Sequence, residues 1–344
     1  MNHRFDLLDG ARGIAAFAVL AHHLEINAGY QTGYFSHGYL AVDFFYILSG
    51  FVIAAAYGER LKAGMGFGAF MRVRLIRLQP LVVLGLLLSV LAQATAGKLA
   101  EGWPIAALGQ LFYVPAFLPQ GDVYMFNGAQ WSLLFEMAIN IFFFLTYRWM
   151  KGPLLWIVLA VNAAALFVVA MKFHGLGVGW GSDNFLGGIP RVGFGFYAGV
   201  LLWHLWVGKR VPVIKGSWVL LSLGVLAVIL LPGNWPLAGL PLADAVAVVF
   251  FMPPLVWMLA STQVSGRLAK AAAFLGMLSY PVYVLQSPVR SMLTQAAGNP
   301  QVQSPALLTI LFLSVIVAAW LATRAYDEPV RAWLSARFKP RRTA

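Results

Sequence analysis

The sequence predicts an all-α, polytopic integral membrane protein of about ten transmembrane helices with both termini in the cytoplasm. Three observations predict it. The 344-residue chain is 60% hydrophobic and only 10% charged, whereas soluble domains carry about 25% charged residues. Its apolar residues fall in runs near the roughly 20 needed to cross a bilayer core as a helix. Its Lys and Arg collect in alternate connections, as the positive-inside rule requires.

The runs lie at 7–25, 38–57, 75–96, 131–148, 152–171, 189–207, 216–231, 241–260, 272–290 and 305–323. The stretch 103–118 holds Pro104 and Pro115, which suits a short re-entrant or interfacial piece better than a span. With the N-terminus inside, only Lys98, Lys172 and Arg290 of the 24 Lys and Arg fall outside, while Arg12 and Arg191 lie within spans. The net charge of +12 is therefore topological, and no nucleic-acid partner is needed; membrane lipids are the expected surroundings. The absence of cysteine excludes disulfides, Cys nucleophiles and thiolate metal sites, and no metal is expected. The first run carries Arg12 and leads into His22, His23 and Glu25 rather than a small-residue cleavage site, so it is expected to be retained. Residues 1–330 form one transmembrane unit and 331–344 a basic cytoplasmic tail.

The first span holds the densest chemistry. Asp9, Arg12, His22 and His23 sit in an otherwise apolar helix, and ionisable groups at such depth face cavities and mark function. Arg12 and His23 are about three turns, or roughly 16 Å, apart on one helix face. Asp9 is one turn before Arg12 and pairs with it at i, i+3. His22 points about 100° away and is the weaker candidate. The bland alternative is an Arg–Asp pair acting as a structural lock beside an ordinary hydrogen-bonded histidine.

Further polar groups follow at membrane depth. Asp43 opens the second span within Val42-Asp43-Phe44-Phe45-Tyr46, and Ser49-Gly50-Phe51 follows. Asp43 needs a partner, for which Arg12 or a nearby histidine is expected, while Ser49-Gly50 permits close helix packing. Arg72, Arg74 and Arg77 cluster at the start of the third span. The last two share a face and suit bidentate phosphate contacts, or the headgroups of anionic lipids. The segment 97–130 includes Asp122, Tyr124, Asn127 and Gln130; it suits a sugar acceptor or an interfacial aromatic belt. Trp131-Ser132-Leu133-Leu134-Phe135-Glu136 opens the fourth span and buries another acid. Arg191 near the outer end of the sixth span either snorkels or lines a pore. The ninth reads Gly276-Met277-Leu278-Ser279-Tyr280-Pro281-Val282-Tyr283-Val284-Leu285-Gln286-Ser287-Pro288, and Asp327-Glu328-Pro329 follows the tenth.

Taken together these motifs resemble the acyltransferase 3 family of membrane O-acyltransferases. Leu8-Asp9-Gly10, then Arg12, ten residues and His23, is similar to its opening motif. Val42-Asp43 with aromatics and Ser-Gly-Phe resembles its second helix, with Ala41 in place of the usual glycine. Arg74-x-x-Arg77, Trp-Ser-Leu-x-x-Glu136, the Ser-Tyr-x-x-Tyr segment and the terminal Glu-Pro match in turn. Met137 stands where some relatives carry a second acid, and Gln286 where many carry histidine, which concentrates the chemistry on His23.

The resemblance implies transfer of an acyl group, acetyl above all, from cytoplasmic acyl-CoA to a hydroxyl of a carbohydrate or glycoconjugate. His23 would be the general base, with the pKa range that proton transfer near neutrality requires. Asp9, Arg12 or Asp43 would orient or tune it, and Glu136 joins the candidate catalytic set. Arg74 and Arg77, helped by Arg72, would hold the phosphates of acetyl-CoA or another acyl-CoA. The expected location is a bacterial inner membrane. Composition alone equally suits a secondary transporter or lipid-linked-sugar flippase using the buried acids and Arg12 as a charge relay.

Overall fold

A computed structural model describes residues 5–30, 34–116, 121–209, 217, 224, 240–298 and 304–338. Its described residues form helices: α1 (Asp6–Asn27), α2 (Ala41–Lys62), α3 (Phe67–Thr95), α4 (Trp103–Leu111), α5 (Gln130–Thr146), α6 (Gly152–Phe173), α7 (Gly188–Val207), α8 (Ala243–Ser261), α9 (Gly266–Ala296), α10 (Pro305–Ala322) and α11 (Glu328–Arg337). Seven of these units are long and apolar enough to cross a bilayer: α2, α3, α6, α7, α8, α9 and the α10–α11 rod. The chain is thus a multi-pass membrane protein.

The departures from ten regular spans have local causes. At 22 residues, α1 extends about 33 Å, but Asp9, Arg12, His22 and His23 lower its apolar character and it is not among the seven. At 17 residues, α5 is shorter than a full crossing. The expected span 216–231 lies outside the described residues. The piece expected to be short is the nine-residue α4. Within α8 a π-turn at Ala247–Phe251 precedes Pro253 and Pro254, and another at Thr323–Asp327 joins α10 to α11 just before Pro329. Proline removes an N–H from the ladder, and the widened turn accommodates the break.

Two helix pairs set the architecture, both through missing side chains. α1 and α9 run parallel in backbone contact: a Cβ on Gly13 would stand 2.5 Å from the Leu275 carbonyl oxygen, and one on Gly276 2.6 Å from the Asp9 Cβ. α2 and α7 meet in the same way, Gly50 against the Phe196 backbone and Gly199 against Ile47 and Phe51. Close approach of small residues is how membrane helices gain packing contact without a hydrophobic drive between them. The aromatic core around these pairs includes the buried Phe44, Phe51, Phe70 and Phe196. α6 and α10 lie at the periphery and expose broad apolar faces, among them Trp156, Ile157, Val161, Ile310 and Leu313, as lipid-facing helices must.

Described residues flanking and within the connection after α4 are pinned by side-chain hydrogen bonds. Tyr124 donates to the Tyr113 carbonyl (2.6 Å), and Gln79 to that of Leu111 (2.8 Å). Asn127 donates to the Val284 carbonyl (2.8 Å). Pro288 cannot supply the i+4 N–H that would bond that carbonyl within α9, so a side chain from another segment satisfies it. Most of the polar groups expected in 97–130 therefore anchor the loop; Asp122 is the exception, and it lines a cavity.

Candidate active site

Two chambers lie end to end along α1 and α9. The smaller, of about 100 Å³, is lined by Arg12, Arg74, Arg77, Ser132 and Glu136. The larger, of about 540 Å³, is lined by His22, His23, Asp122, Trp180, Gln286 and Arg290. Val42 and Tyr283 face both, so the chambers abut there. The Tyr283 hydroxyl lies 2.6 Å from Ser132 Oγ and donates to the Ala129 carbonyl at 3.2 Å. The Phe45 ring packs edge-on against Tyr283, with centroids 5.9 Å apart.

In the basic chamber Arg12 is held from both sides. Its Nη2 lies 3.1 Å from Asp9 Oδ1, the i, i+3 pair expected from the sequence. It also donates to the Gly276 carbonyl (3.0 Å) and through Nε to Ser279 Oγ (2.9 Å), both on α9. Arg74 is buried and bonds Glu136 Oε1 at 2.7 Å, to which Ser49 donates at 3.1 Å. Glu136 thus finds its partner 62 residues away in sequence.

Donor capacity remains for an anion. Arg74 Nε is buried without a hydrogen-bond partner. The Arg77 side chain makes no hydrogen bond or ion pair among the described residues, though it lines the chamber. Three guanidinium groups against the carboxylates of Asp9 and Glu136 leave net positive charge. That donor set fits phosphate, which takes planar, bidentate contacts from arginine. The volume fits only a slender group, since pockets for drug-sized ligands span roughly 300–1,000 Å³.

Arg72 is not brought to this chamber. Two residues subtend about 200° on a helix, so Arg72 faces away from Arg74. It is exposed, donates to the Phe338 carbonyl at 3.0 Å and lies over the Phe338 ring.

Asp43 requires a correction. It meets neither Arg12 nor a histidine but Arg191 of α7, with Nη2–Oδ2 2.6 Å and Nε–Oδ1 3.1 Å. Both side chains are essentially inaccessible. Arg191 also donates to the carbonyls of Val178 (2.7 Å) and Tyr39 (3.0 Å) and lies 5.2 Å over the Trp131 ring. The cause is the packing of α2 on α7. Asp43 is seven residues before Gly50 and shares its face, so the glycine contact carries Asp43 to α7. Arg191 consequently does not snorkel; with Asp43 it ties two helices and two loops into one wall of the larger chamber.

That chamber contains His23. Its Nδ1 lies 3.0 Å from Gln286 Oε1 on α9. Gln286 donates its Nε2 to the Tyr283 carbonyl at 2.9 Å, which fixes the amide so that Oε1 faces the histidine. An amide oxygen only accepts, so Nδ1 carries the proton and Nε2 is the basic nitrogen. His22 is buried beside it, with Nδ1 2.7 Å from the Phe35 carbonyl and ring centroids 5.4 Å apart. Neither the Gln286 contact nor the place of Arg290 in this chamber is expected from the sequence motifs. Their spacing was visible: Tyr283, Gln286 and Arg290 recur at three and four residues, one face of a helix.

No group of three or more His, Asp or Glu arranged for a metal ion occurs among the described residues.

Comparison with known proteins adds a family assignment. A family model described as an acyltransferase domain matches residues 5–324. Protein 2 in the picA locus of Rhizobium radiobacter is 38% identical over 192 residues, covering 49% of this chain and 96% of that protein. Acyltransferase MdmB of Streptomyces mycarofaciens is 29% identical over 279 residues, covering 73% of this chain and 65% of that protein. No solved structure matches the chain.

Proposed function

The chain belongs to the acyltransferase 3 family and is an acyl-transferring membrane enzyme; from that premise we propose that it moves an acetyl group from acetyl-CoA to a carbohydrate hydroxyl, with His23 as general base. The observation that carries the proposal is the pair of chambers meeting at Tyr283. One offers unpaired guanidinium donors and the other a histidine with a defined basic nitrogen.

In this reading the N-terminus is cytoplasmic and the membrane is a bacterial inner membrane. Arg77 and Arg74 hold phosphate oxygens at the basic mouth. The basic chamber is too small for a nucleotide, so it takes the thioester-bearing arm. His23 Nε2 accepts the proton of an acceptor hydroxyl in the larger chamber. The freed oxygen attacks the thioester carbonyl, the C–S bond breaks, and imidazolium returns its proton to the leaving thiolate. The Tyr283 hydroxyl, where the chambers meet, is the candidate donor for the developing oxyanion, while Arg12, fixed by Asp9 and Ser279 three turns from His23, holds the donor arm in the basic chamber. Asp43 and Glu136 act at one remove, through the arginines they hold.

Purified protein in nanodiscs, given acetyl-CoA and an oligosaccharide acceptor, tests this. Acceptor-dependent release of free thiol with an acetyl ester on the sugar is expected. Thiol release that is indifferent to any saccharide, or acetylation at an amine instead, contradicts it.

A further inference from the structure

Among the described residues, each chamber is lined by one arginine whose side chain has no protein partner. In the basic chamber it is Arg77; in the histidine chamber it is Arg290. Arg290 follows Gln286 by one turn on α9, on the same face, and lines the cavity that contains His23. It is half-buried, and among the described residues its guanidinium makes no hydrogen bond or ion pair. The other arginine lining the chamber, Arg191, is neutralised by Asp43.

Among the described residues lining the chamber there is one carboxylate, Asp122, on the loops that meet at the Asp122–Gly181 bridge. Asp122 does not pair with Arg290, and burial pushes its carboxyl up, towards the neutral form. A half-buried guanidinium that leaves its donors unused is unfavourable. A ligand that brings its own oxyanion removes the penalty and gains a charge-assisted contact.

We infer that the histidine chamber takes an acidic saccharide, whose carboxylate or phosphate pairs with Arg290 while a neighbouring hydroxyl meets His23. The inference rests on the acyl-transfer reading for the role of that hydroxyl, but the oxyanion contact itself does not depend on turnover. Trp131 and Trp180 supply aromatic surface in the same cavity, of the kind that packs on sugar rings.

The test uses the full-length protein in zwitterionic-lipid nanodiscs and matched probes: methyl glucuronide, its neutral methyl ester, methyl glucoside 6-phosphate and methyl glucoside. Binding is measured without acyl donor, and KM and kcat with acetyl-CoA. The acidic member of one or both pairs is expected to bind about 10- to 100-fold more tightly than its neutral match, the range of a hydrogen-bonded charge pair. Which pair shows the difference identifies carboxylate or phosphate. Arg290→Gln should erase the preference through KM rather than kcat, and Arg290→Lys should keep part of it, since charge survives but the fork does not. Equal binding of acidic and neutral probes overturns the inference, as does a preference that survives in Arg290→Gln. An Arg290→Gln effect confined to stability in phosphatidylglycerol nanodiscs also overturns it and makes Arg290 a headgroup anchor. Arg290-dependent binding without any thiol release would uphold the oxyanion site and count against acyl transfer alone.

Discussion

His23 Nδ1 and Gln286 Oε1 lie 3.0 Å apart, and this one contact between α1 and α9 decides which imidazole nitrogen is basic. Gln286 is itself held by the Tyr283 carbonyl, so the amide cannot turn without losing a bond. Gln286→Leu should leave the ring free to take either tautomer. We predict that kcat falls about 10- to 100-fold, a fraction of the 10²–10⁴ a general base contributes, with KM for acyl-CoA little altered. Gln286→Glu should retain activity, because a carboxylate also accepts from Nδ1. A carboxylate beside the ring favours imidazolium, so the neutral base is reached only at higher pH. The acid limb of the pH–rate profile should move up, and an unmoved limb would contradict the contact's role.

Arg72 and Arg77 separate by exposure and should separate in function. Arg77→Ala is predicted to raise KM for acyl-CoA about 10- to 100-fold, the loss of a charged hydrogen bond. Arg72→Ala should change it less than about threefold, as expected for an exposed cation in water. Initial rates across acyl-CoA concentration distinguish the two. Equal effects would mean that phosphate binding spreads over the mouth.

The Asp43–Arg191 pair is structural in this account. Asp43→Ala leaves a buried guanidinium without its counter-charge and should destabilise the protein by about 3–5 kcal/mol. Thermal unfolding in detergent measures it. Asp43→Leu combined with Arg191→Met should recover much of the loss, because removing both charges avoids the orphan. A stable, folded but inactive Asp43→Ala would instead place Asp43 in the chemistry.

The Tyr283–Ser132 contact stands where the chambers meet. Ser132→Leu should fill that junction, abolish transfer and leave binding of saccharide in the larger chamber intact. Transfer that survives Ser132→Leu would mean that the donor reaches His23 by another route.

The sequence carried the local relationships and lost the distant ones. Asp9 and Arg12 are one turn apart, so their pairing follows from helix geometry alone. The same geometry puts Arg72 on the far face of α3, a consequence masked by reading the cluster as a sum of charges. Asp43–Arg191 and Arg74–Glu136 are 148 and 62 residues apart, and which helix faces which is set by glycine contacts that no periodicity reports. Those pairings also weigh against the transporter reading. Asp43 and Glu136 each hold a separate arginine, so the buried charges do not form one continuous relay.

The most direct measurement is thiol release from acetyl-CoA by His23→Ala in nanodiscs, beside wild type and with acyl-CoA binding measured in parallel. Bound acyl-CoA with transfer reduced at least about 10²-fold is the expected result. A variant that binds the donor, stays folded and acetylates the acceptor at a rate near wild type would contradict it.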